Sequence, residues 1–102
     1  MIEDGIITAR AELTRRIAAI EWRAGPATVA NEIDAIRRVA HRNGMLPAVT
    51  VAHLLESALA RGEQGVLVHG WLAMLKDAVG CDRQDAAASD AFAAACQVRF
   101  AA

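Results

Sequence analysis

Three histidines, ten arginines and two cysteines are the side chains of this sequence best equipped for chemistry. His41 closes the stretch IRRVAH, with Arg37 four positions before it, Arg38 three before it and Arg42 directly after it. Such a group of guanidiniums can hold an anion beside an imidazole. His53 stands in the stretch AHLLESALARG, and His69 stands seven residues before Lys76, the chain's one lysine. A helix that binds zinc supplies its ligands at i, i+3 or i, i+4 spacing, and no pair among His41, His53, His69, Cys81 and Cys96 has it. Neither Ser57, Ser89 nor either cysteine lies in a nucleophile elbow, a Gly-rich oxyanion turn or a paired acid and base. The expectation is therefore no metal, no cofactor and no enzyme. The two cysteines are too few for a disulfide framework and read as small buried thiols.

The elements that must carry these residues are helices. Gly and Pro punctuate the apolar periodicity at AGPAT, NGMLP, RGEQG and VGCD. Each glycine falls where a helix C-terminus favours a left-handed residue, and Pro26 and Pro47 can open the next helix without losing a needed N–H. Five helices are predicted over 3–24, 28–43, 47–61, 65–79 and 83–100. Their short links force sequential neighbours to run antiparallel, so the predicted fold is an all-α up-and-down bundle of four to five helices in a single domain over 1–102. Twenty-four alanines and four aromatic residues suit helices packed closely through small side chains.

Stepping 100° per residue assigns the faces. In the first helix Ile6, Leu13, Ile17, Ile20 and Ala24 form a core stripe, and Ile7, Ala11, Ala18 and Trp22 form a second one beside it. So wide an apolar arc places that helix centrally or offers Trp22 to a partner, unless the fifth helix covers it. The second helix presents Val29, Ile33, Ile36 and Ala40 to the core, the third Val51, Leu54, Leu55, Ala58 and Leu59. The fourth, with Leu67, Val68, Trp71, Leu72, Met74, Leu75 and Val79, is the most apolar and is expected at the centre. The fifth opens on Asp82 and Asp85 and packs through Ala88, Phe92, Ala95 and Cys96, with a second start available at Ser89 and Asp90. His41 falls about 120° and His53 about 160° from their core stripes, so both should face water.

Composition narrows the partners. A net charge of −1 supplies no positive field for nucleic acid or an anionic membrane. The skew towards arginine carries no functional reading. No apolar run reaches the 18 residues of a membrane span, and the start MIEDG lacks the basic region of a secretory signal, so a cytoplasmic location is expected. A helix-turn-helix around NGMLP would need Thr50 and His53 to bury its reading helix, and that helix carries Arg61 as its lone cation.

On IRRVAH and AHLLESALARG, residues 28–79 resemble the histidine-containing phosphotransfer domains in degenerate form. Those domains are small cytoplasmic four-helix bundles whose exposed histidine takes a phosphoryl group from a response-regulator aspartate and passes it on. The resemblance implies His53 or His41 as phospho-acceptor. The family motif H-x-(L/I)-K-G is altered at both. After His41 the helix ends at Asn43 and Gly44; after His53, Leu55 keeps the apolar position while Glu56 and Ser57 replace lysine and glycine. Glu56 is a like charge beside a phosphate. The arginines near His41 would stabilise one, but the last helical turn disfavours an anion.

Taken together, these residues lead to the expectation of a non-enzymatic protein-interaction or regulatory module, with an active phosphorelay carrier as the alternative. Arg37, Arg38, His41 and Arg42 would meet an acidic protein partner. Trp22 and Ile7 would anchor a partner or a second copy in a homodimer.

Overall fold

The computed structural model describes residues 2–100, with side chains from Gly5 onward. Five helices follow one another: α1 (Ile2–Ala19), α2 (Pro26–Arg42), α3 (Leu46–Ala60), α4 (Val66–Gly80) and α5 (Ala86–Phe100). Pro26 opens α2 and Pro47 sits in the first turn of α3. Both are places where a missing N–H removes no intrahelical bond.

Two helix ends are closed by the same backbone device. Gly44, at φ 67°, donates to the His41 carbonyl while Met45 N–H reaches back to the Ala40 carbonyl. Gly62, at φ 93°, donates to Leu59 while Glu63 N–H bonds Ala58. These paired bonds are the Schellman arrangement, which needs a left-handed residue just past the helix and therefore selects glycine. Met45, next after Gly44, is fully buried. Gly25 and Gly80 do not follow the expected pattern. Gly25 precedes Pro26 at φ −57°, and Gly80 is the last residue of α4. The end of α4 is held instead by Arg10 of α1, which donates from Nε to the Val79 carbonyl at 3.0 Å and from Nη2 to the Cys81 carbonyl at 3.1 Å.

The first four helices form an antiparallel ring in which α1 packs on α2 and α4, and α3 packs on the same two. Arg10 of α1 lies against the end of α4, whereas Ile17 and Ile20 meet Leu72 nearer its start, as antiparallel neighbours must. The fifth helix adds to the outside of α3 and runs parallel to it: Thr50 pairs with Ser89 near one end, and Leu54 and Arg61 line a cleft with Cys96 and Phe100 further along. The centre of the assembly is therefore α3, flanked by α2, α4 and α5, and not α4 as the sequence led one to expect. Small residues explain it, because Ala48, Ala52 and Ala58 are fully buried and let three neighbours approach one helix.

The core stripes of α2 and α3 match the sequence reading, with Val29, Ile33, Ile36, Ala40, Val51, Leu55, Ala58 and Leu59 buried, except that Leu54 is half-buried. Leu67 departs from it and is 51% exposed at the start of α4. In α5 the helix is continuous through Ser89 and Asp90, Ala88 and Cys96 are buried, and Ala95 faces solvent. Asp85 caps this helix, accepting the Ala88 N–H at 2.9 Å, while Asp82 lies outside it.

The largest correction concerns α1. It stops at Ala19, five residues short of the predicted end, and the chain turns through Ile20–Gly25 with Ala24 N–H bonded to Glu21. Trp22 is thus a turn residue, not part of a second helical stripe. The other members of that stripe, Ile7, Ala11 and Ala18, are exposed. No described helix is long and apolar enough to cross a membrane.

Candidate functional site

The inward stripe of α2 forces its remaining residues outward, and this is what gathers Arg37, Arg38, His41 and Arg42 around a shallow cleft of about 260 Å³. The four are not equivalent. Arg37 is a strut: Nη2 meets Asp34 Oδ1 at 2.5 Å on its own helix, and Nε meets Glu56 Oε1 at 2.6 Å across on α3. The hydrogen bond and charge of Glu56, followed by those of Asp34, hold its pKa above the usual arginine value. Arg38 shares Asp34 through Nε at 3.0 Å and remains largely exposed, so the rest of its guanidinium faces solvent. His41 and Arg42 are exposed at the end of the helix, and neither forms an ion pair among the described residues.

His53 stands at the middle of α3 and is exposed. On one side Thr50 is bound through its hydroxyl to Ser89 of α5; on the other, one turn on, is the Glu56 carboxylate already engaged by Arg37. A cation therefore approaches the turn after His53 from a different helix, although α3 carries none before Arg61. Nothing in the sequence signals this, since the offset of α2 against α3 is set only when the two helices pack.

Trp22 and Ile7 do not form one surface. Ile7 is 63% exposed on α1 and lies ~18 Å from the end of that helix, at 1.5 Å per residue. Trp22 is half-buried against the core, its ring 5.2 Å from the His69 ring of α4 at an interplanar angle of 53°. The Arg23 guanidinium lies over the indole, 4.7 Å from its centroid. The residue that covers Trp22 thus comes from α4 and not from the fifth helix. Where α5 ends, Phe100 stacks on Trp71 at 4.1 Å, and Trp71 donates its indole N–H to Glu63 at 3.1 Å.

Cys96 is buried and Cys81 half-buried, both as free thiols. Burial pushes the Cys96 thiol above its ordinary pKa, against a smaller opposite pull from Arg99. No three His, Cys, Asp or Glu side chains converge as a metal site among the described residues.

The fold and surface define an all-α helical bundle carrying a basic cleft and an exposed mid-helix imidazole. Comparison with protein-family models, with curated proteins and with solved structures finds no match.

Proposed function

We propose that this chain is a small non-enzymatic interaction module that takes an acidic segment of a protein partner on the outer face of α2. The observation that carries the reading is the built character of the cleft. Asp34 and Glu56 fix the Arg37 guanidinium, Asp34 steadies Arg38, and the exposed Arg38, His41 and Arg42 complete the rim. Arginines whose forks are already held lose less freedom when they meet a carboxylate. Three guanidiniums against two carboxylates leave the patch net positive. Such contacts set orientation and association rate more than raw affinity, and they fade with salt.

The test is a titration of the isotopically labelled protein with a glutamate-rich helical peptide and with its glutamine counterpart. Shifts confined to α2, absent with the neutral peptide and abolished in Arg38→Glu/Arg42→Glu, support the reading. Equal shifts with both peptides, or shifts that survive the double reversal, sink it.

The phosphorelay alternative rests on a separate observation. His53 is exposed on a rigid helix, and the Glu56 carboxylate one turn away is paired with Arg37, which offsets the repulsion a phosphoryl group would meet. A phosphorylated receiver domain would then label the chain with acid-labile, base-stable phosphate, lost in His53→Gln or, if α2 carries the acceptor, in His41→Gln. A chain that stays unlabelled refutes this second reading and leaves the first untouched.

A further inference from the structure

On the α1–α4 side of the ring, away from the arginine cleft on α2, a second cleft of about 480 Å³ opens between the end of α1, the turn after it and the outer face of α4. The floor is made of buried core side chains, Ile17, Ile20 and Leu72. Trp22 forms a wall that packs on both the His69 ring and the Arg23 guanidinium. A wall already ordered costs little further entropy when a ligand lies against it.

The polar groups of the cleft are unequally committed. Lys76 lines it, and no carboxylate pairs with its ammonium among the described residues. Glu21 also lines it, but one of its oxygens accepts the Arg23 backbone N–H at 3.3 Å. Glu21 adjoins Trp22 in the turn, whereas Lys76 lies ~10 Å along α4 from His69, the residue on which Trp22 packs. The cleft therefore has an aromatic end, where Glu21 and the Arg23 guanidinium offset one another, and a cationic end at Lys76, joined by an apolar floor.

We propose that this cleft binds an apolar monocarboxylate, an aliphatic or arylalkyl acid of medium length, with its hydrocarbon against Trp22, Ile20 and Leu72 and its carboxylate on Lys76. Desolvating the hydrocarbon supplies the affinity, and the ammonium selects the charge. The orientation follows from the position of Lys76, the cation that lines the cleft.

Octanoate, octylamine and 3-phenylpropionate are the probes, read by amide and indole N–H shifts of Ala18, Trp22, His69 and Ala73. The expected result is saturable shifts of these residues with both acids and about tenfold weaker binding of octanoate in Lys76→Met. That substitution is on an exposed side chain, and an unchanged helical circular dichroism spectrum confirms that the fold is kept. Arg42→Glu, at the other cleft, should bind octanoate as the parent does. Octylamine binding as well as octanoate, undiminished binding in Lys76→Met, or linear, unsaturating shifts would each overturn the proposal.

Discussion

Arg37 of α2 and Glu56 of α3 are joined by a hydrogen-bonded ion pair, Nε to Oε1 at 2.6 Å, and the same guanidinium holds Asp34 of its own helix. One arginine thereby ties two helices together beside the basic cleft and beside His53. Because both partners are about a third exposed, at 32% and 27%, water screens much of the attraction.

A double-mutant cycle over Arg37→Ala and Glu56→Ala should return a coupling of about 0.5–1 kcal/mol, falling towards zero in 1 M salt. Urea unfolding followed by circular dichroism measures it. A coupling of several kcal/mol that ignores salt contradicts the exposed geometry.

The core predicts a sharp contrast between two aliphatic residues. Leu55 is fully buried in α3 among three neighbouring helices, so Leu55→Ala should destabilise the fold by about 2–5 kcal/mol. Ile7 is largely solvated, and Ile7→Ala should stay within about 0.5 kcal/mol of the parent. Denaturant midpoints at unchanged slope give both values.

Asp85 links α5 to pH. Its carboxyl is held below its ordinary pKa first by the Ala88 N–H and then by Arg83, so the folded chain favours the charged form. The stabilisation is present in full above the ordinary value of 3.8 and is lost as pH falls through the lowered folded value. Asp85→Ala should fray the start of α5 at pH 6, raising amide exchange at Ala88 and Ser89. As the pH is lowered through the folded value, the exchange rates of parent and variant, relative to an unstructured peptide, should converge.

The thiols should differ in reactivity. Cys81, half-buried next to the end of α4, should react with a maleimide at neutral pH well before Cys96, which is 1% exposed and whose thiolate is disfavoured by burial. Mass spectrometry of quenched time points resolves the two sites. Equal rates would contradict the packing of α5 on α3.

Much of this fold was legible in the chain itself. Pro26, Gly44, Pro47 and Gly62 mark helix boundaries through local chemistry, a fixed φ or a left-handed residue, and α2 and α3 begin and end within two residues of their expected limits. Their core stripes were equally plain, because burial on one side of a helix imposes a 3.6-residue period. The end of α1 was hidden: Ile20 and Ala24 continue the apolar period past Ala19, and no breaker stands before Gly25. Both residues are indeed packed on the core, but from a turn. In α5 nine of fifteen positions are Ala, Ser or Cys, small enough to face either way, so its alanines could not say which side would pack.

The candidate sites divide along the same line. That His41, His53, Arg38 and Arg42 face outward follows from each helix's own periodicity, and so belongs to the sequence. That Arg37 is committed to Glu56, that Trp22 rests on His69, that Arg10 closes α4 and that Lys76 overlooks an apolar cleft are products of the tertiary structure. Spacing within a helix is fixed by its backbone hydrogen bonds. The offset between helices is decided only when buried side chains such as Leu13, Ile33, Leu55 and Leu75 find their common packing, and that offset determines which surface residues meet.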